Sequence, residues 1–173
     1  MELIVTCARH FEEETKNEIL GVLEELGDVQ PAITITNFSG ILIVKTSISH
    51  TQILEQIRKK IEDEPWAIRY MLRVIPLFDV TKCDIDSITR SAVLQAQKIK
   101  SNETYRITIE KRETDIRSSE IITEIATRLE NKVSLEDYDW IILIQTVGDL
   151  CGVSVLKDDD ILSVERLKRG SLK

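Results

Sequence analysis

The residues of this chain whose types and spacing suit chemistry are mostly cations, not nucleophiles. His10 and Glu14 stand four positions apart, which puts two possible metal ligands on one helix face. No second pair joins them, so a solvated helix start is the favoured reading. Cys7 and Cys83 have no histidine or basic residue nearby in sequence to hold a thiolate, and they read as buried structural thiols. Asp158–Asp160 lacks the glycine and distal glutamate of a calcium loop. There is no glycine-rich phosphate loop. With 6 Gly and 2 His, the chain is poorly equipped for catalysis on its own. One stretch is richer. Thr104 to Ile122, TYRITIEKRETDIRSSEII, carries Lys111, Arg112 and Arg117 just ahead of Ser118 and Ser119.

In that stretch Tyr105, Ile107 and Ile109 alternate with Arg106, Thr108 and Glu110, the period of a half-buried strand. Arg106 and Arg112 share its polar face, and Lys111 falls at its end. Ser118 or Ser119 is the expected N-cap of the helix that follows, with Glu120 in its first turn. A helix N-terminus offers unpaired N–H groups and partial positive charge, so three cations beside it make a candidate phosphate seat. The competing reading is that Glu110, Glu113 and Asp115 neutralise those cations as surface pairs worth under about 1 kcal/mol each.

Composition frames the choice. The 173 residues allow one ordinary domain or two small ones, and 31% charged with 42% hydrophobic residues indicates a globular chain. The start, MELIVTCARHFEEE, has no basic n-region, so no signal peptide is expected. Three dispersed cysteines form neither a disulfide framework nor a zinc spacing, which points to a reducing compartment, the cytoplasm. The net charge of −7 argues against a general nucleic-acid binder. The charge is uneven, however. Residues 69–117 hold 10 Lys/Arg against 7 Asp/Glu, whereas residues 1–68 hold 6 against 12 and residues 118–173 hold 7 against 11. A basic middle between acidic flanks is the expected mark of a local anion-binding face.

The elements that must position these residues follow from periodicity. Glu2–Ala8 reads as a strand, Phe11–Glu25 as a helix closed by Gly27, and Ala32–Thr36 and Gly40–Thr46 as strands joined by the turn NFSG. Ser49 or Thr51 caps a helix carrying Ile53, Leu54, Ile57 and Ile61, and MLRVIPLFDVT (Met71–Thr81) is extended, interrupted by Pro76. This β-α-β-β-α-β order is a ferredoxin-like unit of about 80 residues. A second unit starts near Lys82, with a helix on Ile85, Ile88, Ala92, Ala96 and Ile99. The opening strand follows, then a helix on Ile121, Ile125 and Leu129. WIILIQTV (Trp140–Val147) is apolar on both faces and is expected to be a central strand with Trp140 in the core. Gly148–Asp149 turns it back into Leu150–Lys157, and the chain after Asp160 is expected to be an exposed or loosely helical tail. Trp66, in EPWAIRY beside Arg69, Tyr70 and Arg73, fits either packing or an exposed stacking ring. The fold class is therefore α+β, an α/β sandwich divided as residues 1–80, 81–160 and a tail at 161–173.

Three segments taken in order carry a family resemblance: a basic helix from Thr89 to Lys100, then YRITIEKRETDIRSSEIITEIATRLE, then VSLEDYDWIILIQTVGDLCGVSVL. Together, over about residues 80–157, they resemble the THUMP domain, an RNA-binding module of tRNA-modifying systems that usually follows a ferredoxin-like domain. Within that family, RYMLRVIPLFDVTKCDI and NKVSLEDYDWIILIQTVGDLCGVSVLKD look like the stand-alone adapters for tRNA cytidine N4-acetylation. Those members carry no catalytic domain, and a separate acetyltransferase makes N4-acetylcytidine on the tRNA they present. The chain ends where other members would continue into a methyltransferase, thiolation or deaminase domain, which agrees with the adapter resemblance.

The resemblance implies binding to tRNA through the acceptor end and its single-stranded 3′ tail. It implies no cofactor, small-molecule substrate or membrane. Carried over, the RNA-binding candidates are Lys82, Arg90, Lys98, Lys100, Arg106, Lys111, Arg112 and Arg117, with Arg73 and Trp66 as further candidates at the junction of the two domains. The acidic total departs from the family pattern and leaves tight tRNA binding to the complex with the catalytic partner. Two alternatives stay open: a THUMP protein assisting another modification enzyme by methylation or thiolation, and a protein-interaction module without RNA contact.

Overall fold

Short apolar runs with period two build two sheets in the computed structural model, which describes residues 1–171. In chain order the elements are β1 (Glu2–Cys7), α1 (Glu12–Glu25), β2 (Ala32–Ile35), β3 (Ile41–Lys45), α2 (His50–Asp63), β4 (Met71–Leu77) and β5 (Asp79–Lys82). Then follow α3 (Ile85–Ala96), β6 (Tyr105–Glu110), α4 (Ser118–Ala126), β7 (Trp140–Val147), β8 (Leu150–Leu156), β9 (Leu162–Ser163) and α5 (Val164–Ser171). No helix of the described residues is long and apolar enough to cross a membrane. The chain forms two compact units, one of Met1–Pro76 with the segment from Asp159 onward and one of Leu77–Asp158. The α+β class holds.

In the first unit the strand order β2-β3-β1-β4-β9 extends a ferredoxin-like sheet by one strand. Leu3, Val5, Leu42, Val44 and Val74 point to one face, where α1 contributes Ile19, Val22 and Leu23 and α2 contributes Ile53, Ile57 and Ile61. Ser49, not Thr51, caps α2, its hydroxyl accepting the Gln52 N–H at 3.3 Å. The NFSG turn depends on Gly40. Its φ is +73°, and an added Cβ would lie only 2.4 Å from the Cys7 carbonyl oxygen, which no L side chain tolerates. The Glu18 carboxylate ties α1 to the entry of β4 by accepting the backbone N–H groups of Arg69 and Met71 at 2.6 and 2.9 Å.

The segment after Asp160 is not an exposed tail. β9 pairs antiparallel with β4, Arg73 opposite Ser163 and Val74 opposite Leu162. Leu162 and Val164 are buried in the first core, and Lys168 donates to the Ile68 carbonyl. A two-residue strand and a few apolar residues among charged ones are too brief to show a period, so the sequence concealed this closure. The expectation for residues 172 and 173 lies outside the described residues.

In the second unit the order is β5-β8-β7-β6. β7 and β8 are an antiparallel hairpin with Ile141 opposite Leu156 and Val147 opposite Leu150. β6 runs parallel to β7, Tyr105 beside Trp140 and Glu110 beside Gln145. β7 is central, as its two-sided apolar run requires. Ile88, Ala92 and Ala96 of α3 with Ile121 and Ile125 of α4 cover Ile142, Ile144, Val153 and Val155. Two expectations change here. The extended run Met71–Thr81 divides at Phe78, whose N–H donates to Ser154 Oγ at 3.0 Å, so β4 and β5 serve different sheets. Cys83 and Cys151, separated by 68 residues, meet as a disulfide with Cα atoms 5.0 Å apart, and Cys7 remains the buried free thiol. Strand pairing brings them together: Thr81 lies opposite Cys151 in the β5–β8 ladder, a register that spacing along the chain does not reveal.

Candidate nucleic-acid interface

Parallel pairing of β6 and β7 sorts the sequence-predicted cations into two groups at opposite ends of one sheet. Five residue steps of β6 separate the ends, about 17 Å at ~3.3 Å per step. Lys111, Arg112 and Arg117 lie beyond the C-terminal end of β6. Lys98 and Lys100 follow the C-terminus of α3 at the other end, near Trp140 at the start of β7.

At the C-terminal end, Arg112 is locked into the protein. Its backbone N–H donates to Thr146 Oγ1 at 2.6 Å, and Nη1 donates to Gln145 Oε1 at 2.6 Å. Glu110 lies 3.4 Å from Nη2 and also accepts from Gln145 Nε2 at 2.8 Å. Gln145 and Thr146 are fully buried, so Arg112 and Glu110 supply the partners that a buried amide and hydroxyl require. Lys111 Nζ donates to the Ile116 carbonyl at 3.2 Å. Arg117, with 79% of its side chain exposed, lies 3.7 Å from Glu120.

The expected serine cap is absent. The N-cap position of α4 is Arg117, without a side-chain cap bond, and Ser118 and Ser119 both fall inside the first turn. The starts of α3 and α4 and the hairpin tip enclose a cavity of about 530 Å³ lined by Cys83, Ile85, residues 113–117, Glu120, Gly148 and Asp149. Four carboxylates (Glu113, Asp115, Glu120 and Asp149) face one guanidinium there, which opposes the anion preference of the helix N-termini. The start of α3 is occupied too: Asp84 accepts the Ser87 N–H at 2.7 Å. That bond, the Ser87 hydroxyl and the charges of Lys82 and Arg90 hold the Asp84 carboxyl below its usual range. Lys82, at the exposed end of β5, and Arg90, on the exposed face of α3, thus belong to this end.

The other end is built differently. Lys98 Nζ lies 5.0 Å from the Phe78 ring centre and 5.4 Å from that of Trp140, and Lys157 Nζ lies 4.9 Å from the Trp140 ring. Arg106 covers Tyr138 at 5.3 Å while Nη1 donates to the Leu135 carbonyl at 3.2 Å. Four cation–π contacts gather here. The Trp140 indole N–H donates to Glu103 Oε2 at 2.7 Å, and the Lys100 backbone N–H reaches the same oxygen at 2.9 Å. Those two bonds, the Lys100 contact first, and the charges of Lys157 and Lys100 hold the Glu103 carboxyl below its usual range. A second cavity of about 530 Å³ opens beside the ring cluster, lined by Phe78, Asp79, Ser91, Leu94, Gln95 and Lys98.

Trp140 is thus half-buried: it packs against the edge of the second core and has charged neighbours, because it sits at the very start of its strand. Sequence reasoning missed Lys157, Tyr138 and Phe78. One signal was available for Lys157: it and Trp140 lie equally far from the turn Gly148–Asp149, so hairpin pairing places them side by side. Trp66 and Arg73 belong to the first unit. Trp66 is 62% exposed in a short 3₁₀ turn at Pro65–Ala67, and Arg73 lies opposite Ser163 on β4.

Residues 83–156 match the family model of the THUMP domain, so the second unit carries that domain. Among solved structures, PH1313 from Pyrococcus horikoshii Ot3 is similar with a TM-score of 0.69 at 20% identity, covering 90% of this chain and 55% of that one. TrmN from Thermus thermophilus gives 0.57 at 10% identity, covering 90% and 45%. A 4-thiouridine synthetase, crystallised with RNA and bound ATP, gives 0.56 at 10% identity, covering 90% and 41%. At these identities the likeness establishes the fold, and the chain spans about half the length of the structures it matches. No curated protein matches the chain.

Proposed function

We propose that the THUMP domain of this chain binds tRNA and presents it to a separate enzyme that acetylates cytidine at N4, the chain itself contributing no catalytic group. The observation that carries the reading is the THUMP match over residues 83–156, which overlaps the basic middle of an acidic chain. One of the structurally similar proteins was crystallised with RNA, which supports the same class of ligand. Contacts through Lys98, Lys100 and Arg106 at one end, with Lys82, Arg90, Lys111 and Arg117 at the other, suit the acceptor end and its unpaired 3′ tail. Arg112 acts in this reading by holding the loop, not by touching phosphate. Because the net charge is −7, shape and single-stranded contacts carry more of the recognition than long-range attraction.

Reconstitution tests the reading: tRNA, acetyl donor and the candidate acetyltransferase, with and without this chain. N4-acetylcytidine should form only when the chain is present. Acetylation at the same rate without it would rule out the adapter role. A second reading, that the chain assists a thiolation enzyme, is favoured by the likeness to 4-thiouridine synthetase. The same tRNA assayed for 4-thiouridine with a thiolation enzyme in place of the acetyltransferase separates the two.

A further inference from the structure

We infer that the open edge of β6, Arg106–Glu110, is a pairing surface for a second copy of this chain, joined antiparallel about a two-fold axis at Thr108. The inference goes beyond the RNA-binding reading and stands without it. β6 forms one border of its sheet. The Tyr105 N–H donates to the Lys132 carbonyl at 3.1 Å, and the Tyr105 carbonyl accepts the Ser134 N–H at 2.9 Å. The main chain of Tyr105 therefore points away from β7. The Thr104 carbonyl points toward it and accepts the Trp140 N–H at 3.1 Å. Strand alternation turns the N–H and C=O groups of Ile107 and Ile109 outward, as it does those of Tyr105. Among the described residues, no hydrogen bond reaches those four groups.

Sheet edges are blunted by brevity, proline, bulges or a covering segment, because unpaired main-chain groups recruit further strands. The other three edges follow that rule. β9 has two residues, β5 has four and ends at Lys82, and β2 has four and follows Pro31. β6 has six, and Val133 covers it only at Tyr105. The open remainder is Arg-Ile-Thr-Ile-Glu, without proline or glycine and with three β-branched residues at its centre. Val133 closes one end, and the strand stops after Glu110 at the other. One antiparallel register therefore pairs all five residues with a second copy. It sets Ile107 opposite Ile109 of the second copy, where the two exchange N–H···O=C bonds. Thr108 then faces itself, and Arg106 faces Glu110 of the second copy. The stretch is complementary in charge to its own reverse, a match that a foreign strand would not require. Arg106 keeps its bond to the Leu135 carbonyl and Glu110 its bond to Gln145. The pairing uses only the sign of each charge, since opposite charges across strands attract and like ones repel.

Sedimentation equilibrium of the full chain tests the pairing. A five-residue edge is small, so the dimer should be transient, formed at about 300 μM and dissociated by about 1 μM. Thr108→Lys and Thr108→Glu should each weaken it at least about tenfold, because like charges then meet at the axis. Mixed in equal amounts, the two variants should regain a dimer containing one copy of each. Thr108→Cys should give a covalent dimer under oxidised glutathione where the parent gives none. Facing residues of a non-hydrogen-bonded pair bring their Cβ atoms within disulfide reach. A parent chain that stays monomeric at the higher concentration overturns the proposal. So does a dimer that both charged variants leave intact, which would place the contact elsewhere. A monomeric mixture of the charged variants with no cross-link in Thr108→Cys overturns it as well. Should a charged variant fail to fold, the cysteine variant decides. Binding of an extended Val-Thr peptide by a monomeric parent would give the edge to a foreign strand and overturn the two-fold pairing.

Discussion

The two ends of the second sheet carry similar numbers of cations and use them in opposite ways. At the C-terminal end of β6, Arg112 satisfies Gln145, Lys111 donates to a main-chain carbonyl and Arg117 lies beside Glu120. At the other end Lys98, Lys157 and Arg106 lie over aromatic rings. A guanidinium that completes a buried hydrogen-bond network cannot leave for a phosphate without stranding its partners. Cation density in sequence therefore measures how many charges a region has, and the partners decide what they can do.

The comparison can be broken most severely from the core beneath both ends. Ile144→Asp buries an unpaired charge at a fully buried position and should cost more than about 4 kcal/mol, unfolding the second unit in a denaturant titration. A folded Ile144→Asp chain would mean that the two ends do not share one cooperative core. Next in size, Arg112→Ala should destabilise the unit by about 2 kcal/mol, because buried Gln145 loses its donor. If that variant instead melts like the parent and only binds RNA more weakly, Arg112 belongs with the ligand contacts.

Two smaller effects sharpen the contrast. Lys111→Glu with Arg117→Glu should weaken tRNA binding by less than about threefold, since both already have protein partners in a carboxylate-rich setting. Lys98→Ala with Lys157→Ala should do more, and a reversed order would return the binding face to the α4 end. The smallest effect concerns acid. Glu103 has its folded pKa depressed, so its contribution is complete above the unfolded value near ~4.3 and is lost as pH falls through the folded one. In a Trp66→Phe chain, Trp140 emission should stay constant above that value and shift below it. The shift should be absent in Glu103→Gln.

Much of the fold was legible beforehand. The βαββαβ order, the central β7 and the buried stripe of α3 all follow from apolar periods long enough to read. The candidate site was legible only as a set of residues. Lys98, Lys100, Arg106, Lys111, Arg112 and Arg117 lie within one basic segment, but nothing in their spacing says that β6 carries them to two separate places. The same limit explains Cys83 with Cys151 and the return of Leu162 and Val164 to the first core. Each is a long-range pairing between short segments, and short segments carry no period.

By itself the sequence determined which residues alternate, which faces are apolar and where charge accumulates, because local conformational preference and hydrophobic burial act over a few neighbouring positions. Only tertiary structure decided that Arg112 closes on Gln145 and that Trp140 meets Lys157 and Lys98. Those outcomes depend on strand register and on which buried polar group lacks a partner. Both are set when distant segments come together.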